Sequence, residues 1–296
     1  MGFPANAWAL VKDTVTGFID DNALSRGASI AYYTLFSIAP VLLIIVAIAR
    51  LVFGRDAAQG AIVGQLSGLM GEQTAKALEE MIKSADNRAA GIVATIVGIV
   101  ALIVTATGVF GEVQSAINAI WKVKPKSSTL SRLVRARLAS LGLVVTCGFL
   151  LTVSLAVSAG LQALSKYLKG IFPGADAALQ VFDFVASTAI ISGLFAAIYK
   201  VLPDKPITWR DVAIGALATT LLFEGGKYLI ALYVGQSNVA SSYGAAGALI
   251  VLLLWIYYTA QIFLLGAEFT HAFATRHGSH AGGDAPDEER APRPNR

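Results

Sequence analysis

Charge is scarce in this chain: 14% of its 296 residues are Asp, Glu, Lys or Arg, where a soluble domain carries about a quarter. So few ionisable groups cannot clothe a water-facing surface of this size, which excludes an ordinary soluble globular protein. Cysteine is scarcer still. Cys147 stands alone, so no intrachain disulfide forms, and its apolar surroundings suit a small packed hydrophobe. Histidine occurs three times, at His271, His277 and His280, all at or beyond the end of the last apolar run. Two histidines in the RHGSH stretch with no cysteine nearby are too few to hold a metal. No acidic cluster stands at ligand spacing elsewhere, so neither metal nor cofactor is expected. There is no P-loop, no dinucleotide fingerprint and no nucleophile elbow. Nothing therefore supports ATP hydrolysis within the chain, and no residue is assigned a catalytic role.

What is abundant is apolar: 55% of the residues are hydrophobic. Six runs, at about 28–53, 90–111, 138–160, 180–201, 212–234 and 246–270, approach or exceed the roughly 20 helical residues that cross a hydrocarbon core. A backbone in lipid must satisfy its own polar groups. The runs lack the alternation of barrel strands, so helices follow. The expected fold is an all-α integral membrane protein: a bundle of six transmembrane helices with an N-terminal interfacial helix and a helical outside segment between spans one and two. Residues 1–27 form a cytoplasmic amphipathic helix and lead-in, 28–275 the transmembrane domain, and 276–296 a disordered cytoplasmic tail rich in Gly, Pro and mixed charge. The first apolar run is too long for a signal core and lacks a basic leader, so no cleavable signal is expected.

In residues 4–20, Trp8, Val11, Val15, Phe18 and Ile19 recur at helical spacing against Lys12, Asp13 and Asp20. That pattern suits a helix on the membrane surface or one packed on the spans. With the N-terminus inside, fifteen lysines and arginines fall in inside segments and six in outside ones, so the positive-inside rule puts both termini in the cytoplasm. The basic stretch 122–137 reads as topogenic and as a contact for anionic headgroups, not as a nucleic-acid site. Ala75, Leu78, Met81, Ile82 and Ala85 mark one face of the outside helix, and 235–245 reads as an outside loop.

The polar residues within the runs are the candidate sites. Glu224 and Lys227, in FEGGKYL, are three residues apart in an otherwise apolar helix; they share a face and pair. An unpaired charge at mid-bilayer costs about 2.5–3.5 kcal/mol on insertion scales. The face they share with Thr220 should point into the bundle, with Gly225 and Gly226 admitting a neighbouring helix. Gln261, on one side of the sixth run with Tyr257 and Glu268, extends this into a polar intramembrane site. At the inner interface, Arg26 is expected to form an ion pair with Glu112 or Glu268, where Glu112 ends a small face of Gly91, Gly98 and Thr105. Pro40 breaks the hydrogen-bond ladder of the first span and is a candidate hinge.

Four blocks carry a family resemblance: LSRGASIAYYTLFSIAPVLLIIVAIARLVFG (24–54), GVFGEVQSAINAIWKVKPK (108–126), YKVLPDKPITWRDVAIGAL (199–217) and YGAAGALIVLLLWIYYTAQIFLLGAE (243–268). Together they resemble the YihY/BrkB family of bacterial inner-membrane proteins, historically called ribonuclease BN, over roughly residues 5–275. The resemblance implies a six-span inner-membrane protein linked to virulence and envelope integrity. Its family members have been proposed as transporters, with lipid among the substrates, and bring no agreed catalytic site. The expected activity is transport or flipping of an envelope component. A non-transporting scaffold or envelope-integrity factor is the alternative, and tRNA-processing ribonuclease activity fits the residues least, because they offer no metal or acid–base cluster. Membrane lipids, anionic headgroups included, are the expected partners, with a homo-oligomer or an envelope complex as further assembly and no nucleic acid.

Overall fold

The structure is a computed structural model and describes residues 3–37, 76, 79, 108–123, 175–236 and 245–279. Among these every regular element is helical. Four helices are α1 (Phe3–Asp20), α2 (Ala175–Val201), α3 (Trp209–Gln236) and α4 (Ala245–Arg276). Helical stretches also cover 23–37 and 108–120, and Lys76 and Glu79 are helical. The span at 138–160, Pro40, the loop core 237–244, the rest of the outside segment and residues 280–296 lie outside the described residues.

Among the described residues, two helices contain windows long and apolar enough to cross a membrane, Phe184–Val201 and Leu249–Arg276. At 28 residues, α3 is about 42 Å long at roughly 1.5 Å per residue. Its exposed side carries Leu217, Leu221, Leu222, Leu229 and Leu232, while α2 exposes Val181, Phe182, Phe184 and Val185. Such an apolar exterior is what lipid, and not water, solvates.

The first helical break falls at residues 21–22. Asn22 adopts a left-handed conformation (φ 54°), and helix resumes at residue 23, within the lead-in to the first apolar run. Asn tolerates this region because its short amide bonds locally. At the far end, α4 continues six residues beyond the expected limit at 270, because its last turns pack on α1. Residues 277–279 then form a turn: Gly278 N–H bonds the Phe273 carbonyl at 3.1 Å, and Ser279 donates from its backbone N–H and its hydroxyl to Asp211 Oδ2 at 3.1 and 2.6 Å. Asp211 thereby joins the chain past α4 to the start of α3, where it also accepts a bond from Thr208 Oγ1 at 2.8 Å. A carboxylate in the first turn suits the positive end of the helix dipole.

The contact between α3 and α4 is built from two matching Gly-x-x-x-Thr stretches, GALAT (215–219) and GAEFT (266–270), running antiparallel. A Cβ on Gly215 would lie 1.9 Å from Thr270 Oγ1, and one on Gly266 would lie 2.0 Å from Thr219 Oγ1. Each threonine thus sits over the partner's glycine. Each also donates back within its own helix, Thr219 to Gly215 O and Thr270 to Gly266 O, both at 2.7 Å, so no polar group is left to lipid. Beside this seam Tyr199 of α2 donates to the Phe263 carbonyl of α4 at 2.7 Å, with Thr219 Oγ1 of α3 3.1 Å away. Phe195, Phe223, Phe263 and Trp255 pack around it with centroid separations of 6.0–6.5 Å, Phe195 stacked on Phe263 and edge-on to Phe223, and Phe223 edge-on to Trp255.

On α1 three faces are distinct. Thr14 is buried, Phe18 packs on the core, and Gly17 faces Glu268 of α4. Trp8, Val11, Val15 and Ile19 are exposed on a second face, and the polar Lys12, Thr16 and Asp20 are exposed on the third. The helix is therefore both packed on the spans and amphipathic toward its surroundings, which suits a membrane surface.

Two outcomes follow from this packing. Gly215→Ala and Gly266→Ala should each destabilise the protein by about 1–3 kcal/mol through overpacking, read as lower membrane abundance and a lower Tm in detergent. Gly225→Ala, where a Cβ meets nothing within 4 Å, should leave both unchanged; equal effects at all three sites would contradict the seam. For α1, spin labels placed at residues 15 and 12 in a Cys147→Ser background should differ. The label at 15 should collide mainly with lipid-dissolved oxygen and the label at 12 mainly with a water-soluble nickel complex.

Candidate functional site

The residues of FEGGKYL are divided by the turn of α3. Glu224 is buried, whereas Gly225 and Tyr228 are exposed. Lys227 Nζ lies 2.5 Å from Glu224 Oε2, with the two side chains 21% and 10% exposed. The spacing of three residues places them one turn apart on one face. Lys227 keeps an edge toward the surface, and its ammonium lies 5.6 Å from the centre of the Tyr228 ring, within cation–π range. The pair is thus neutral as a unit, with its cationic member nearer the exterior. Taking Asp211 as the start of α3, Glu224 lies about 20 Å along the helix at roughly 1.5 Å per residue.

The two glycines of the stretch do different things. A Cβ on Gly226 would come within 2.4 Å of Ile262 Cδ1 and 3.1 Å of Tyr258 Cε1, so this glycine does admit α4. At Gly225 a Cβ would meet nothing within 4 Å among the described residues. This glycine borders the ion pair on the exposed side and has no part in the helix contact.

Thr220, one turn before Glu224, is fully buried and donates to Ala216 O at 2.8 Å, so its hydroxyl is satisfied within α3. Gln261 points elsewhere. Its Nε2 donates to Leu24 O at 3.3 Å, and a Cβ on Gly27 would lie 2.1 Å from that nitrogen. The amide therefore binds the 23–37 stretch to α4. Of the four residues expected to form the intramembrane site, the structure pairs Glu224 with Lys227, keeps Thr220 beneath them, and turns Gln261 toward the first helix. A single residue step on α4 separates Gln261 from Ile262, and a helix turns 100° per residue, which is why the two face different neighbours.

A second polar group gathers at one end of the bundle, where α2 and α4 finish and α3 starts. Arg26 Nε donates to the Asp21 backbone carbonyl at 2.9 Å, capping the end of α1. Arg26 forms no ion pair with Glu112 or Glu268 among the described residues; the cation beside Glu268 is Lys122. Lys122 Nζ is 2.5 Å from Asp21 Oδ1. Glu112 lies on the 108–120 stretch, half-buried. Lys122 is placed by the chain itself: it has φ 52°, with Val123 N–H on Asn118 O at 2.8 Å and Lys122 N–H on Ala119 O at 2.9 Å. That is the double bond pattern that closes a helix with a left-handed residue, a position usually held by glycine. Asn118 also holds the α2–α3 loop, through Nδ2 to Asp204 Oδ2 at 2.8 Å and Oδ1 from Asp204 N–H at 2.9 Å. Trp121 contacts the His271 ring at 5.1 Å, and Arg276 bonds Asp13.

Sequence reasoning missed Asp21, Lys122, Tyr199, Asp204 and Asp211 as organising residues. The two Gly-x-x-x-Thr stretches in adjacent spans were the signal that could have found the α3–α4 seam. The Asp21–Lys122 contact joins residues a hundred positions apart, and no local pattern announces it.

A family model described as Virulence factor BrkB matches residues 14–292. The chain is 27% identical over 266 residues to a UPF0761 membrane protein of Psychrobacter sp. (strain PRwf-1), covering 88% of this chain and 48% of that one. It is 36% identical over 180 residues to a UPF0761 membrane protein of Klebsiella pneumoniae, covering 60% and 59% respectively. A Pseudomonas aeruginosa UPF0761 membrane protein is 29% identical over 256 residues, covering 84% and 59%. The chain spans about half to three-fifths of the length of these relatives. No solved structure matches. Matched along nearly its whole length, this chain of apolar helices belongs to the Virulence factor BrkB family of membrane proteins.

Proposed function

We propose that this chain is a six-span protein of the bacterial inner membrane, with both termini cytoplasmic, that moves an anionic envelope component such as a lipid across or within the bilayer without acting as an enzyme. One observation carries this reading: the Lys227–Glu224 pair, with contact at 2.5 Å and partial exposure of the lysine, on a helix whose exposed residues beyond the first turn are otherwise apolar or aromatic. A lysine that reaches the edge of a lipid-facing surface suits a phosphate headgroup, since an ammonium donates strongly to a phosphate oxygen. Glu224, buried behind it, holds the ammonium when no anion is present. Among the described residues nothing lies within 4 Å of a Cβ at Gly225, which leaves room beside the pair. The gathering of residues 21, 122, 204, 211 and 279 at one end of the bundle agrees with loops lying on the same side, as the positive-inside rule requires.

A scaffold role is the second reading. It is favoured by the tight approach of Gly226 to Ile262 and Tyr258, which would make the ion pair a device for fixing two helices.

The deciding experiment reconstitutes the protein in vesicles containing a fluorescent anionic phospholipid and follows its transfer between leaflets. Lys227→Met should slow transfer about tenfold, the loss of one charge-assisted contact of about 1.5 kcal/mol. Glu224→Gln combined with Lys227→Met should remain abundant in the membrane yet be inactive. If the double variant recovers both abundance and transfer, the pair is structural; if the unaltered protein transfers no anionic lipid, the transport reading fails.

A further inference from the structure

The end of α1 and the last third of α4 meet through two carboxyl groups that the proposed transport site does not use. Glu268 is 2% exposed. It reaches α1 across Gly17, where a Cβ would lie 2.5 Å from Glu268 Oε2, and its carboxyl comes within hydrogen-bonding reach of the Asp21 carboxyl. Glu268 Oε1 and Asp21 Oδ2 are both buried and have no hydrogen-bond partner among the described residues. Two ionised carboxylates offer acceptors only, so their apposition leaves these oxygens without a donor. A proton held between them would supply one.

We propose that Asp21 and Glu268 form a proton-binding site in which a single proton is shared across the contact between α1 and α4. The charges around the pair fit that count. Lys122, whose ammonium is 2.5 Å from Asp21 Oδ1, balances one carboxylate, and the shared proton neutralises the other. Asp20 adds a further negative charge nearby. Arg26 is spent on the Asp21 backbone carbonyl, and His271, three residues beyond Glu268, lies against Trp121. The Lys122 ammonium beside Asp21 opposes a metal cation at the same place and leaves the proton as the ligand. When the proton is released to water, the pair gains one negative charge at a buried contact and loses the hydrogen bond that joins α1 to α4. Proton binding and docking of α1 are therefore linked: protonation favours the docked helix, and deprotonation loosens it.

Infrared difference spectroscopy of the full chain in liposomes, titrated with pH, tests this directly and independently of lipid transfer. The expected signal is a carboxylic-acid C=O band that disappears as pH rises and is absent from Asp21→Asn and Glu268→Gln. In Lys122→Met the same band should persist to higher pH, because the cation that stabilises the ionised pair is gone. Glu224→Gln should retain the band. The Lys122 side chain is 59% exposed, so this variant preserves the packing and decides the matter even where the carboxyl variants fail to fold. The proposal is overturned by the absence of a titrating band in the unaltered protein, by a band that does not move in Lys122→Met, or by one lost in Glu224→Gln.

Discussion

Helices in lipid gain nothing from hiding apolar surface from water, so α3 and α4 can be held together only by close packing and by polar contacts. The reciprocal arrangement of Gly215 under Thr270 and Gly266 under Thr219 is the constraint on which the rest of the bundle depends. It fixes both the separation and the rotation of the two helices. With that rotation set, Glu224 turns inward, Gly226 meets Tyr258 and Ile262, and Leu221, Leu222 and Leu229 are left outside. The threonines serve twice, since the hydroxyl that would be costly in lipid is bonded to the carbonyl four residues earlier.

Tyr199 extends the constraint to a third helix. Its hydroxyl reaches Phe263 of α4 and Thr219 of α3, so α2 is pinned to the seam at the point where the other two cross. From there the aromatic cluster of Phe195, Phe223 and Phe263 fills the space between them. A polar end follows, in which each loop is tied to a helix it does not adjoin: Asn118 to Asp204, Asp211 to Ser279, Lys122 to Asp21. The left-handed residues Asn22 and Lys122 stop two helices at the positions where these ties can form.

The two polar groups occupy opposite surroundings. Glu224 and Lys227 are adjacent on one helix and neutralise each other locally, so they persist far from the helix ends. Asp21, Glu268 and Lys122 come from three separate parts of the chain, and their charge balance exists only where those parts converge. A change at Gly17 or Gly27 would disturb the second group or the Gln261 contact without touching the first.

Composition and run length by themselves determined that the chain is a membrane protein of apolar helices, because the bilayer imposes one length and one way of satisfying the backbone. They also determined the Glu224–Lys227 pairing, since residues three positions apart on a helix lie on one face. The amphipathic character of α1 was equally legible, as periodicity alone reveals it. Only the tertiary structure decided that Gln261 faces Leu24, that Gly226 and not Gly225 meets α4, and that Lys122 and not Arg26 stands beside the acids at the bundle end. Those outcomes depend on the rotation of one helix about another and on where Asn22 and Lys122 end their helices. A rotation of 100° separates neighbours in sequence, and no local pattern specifies it.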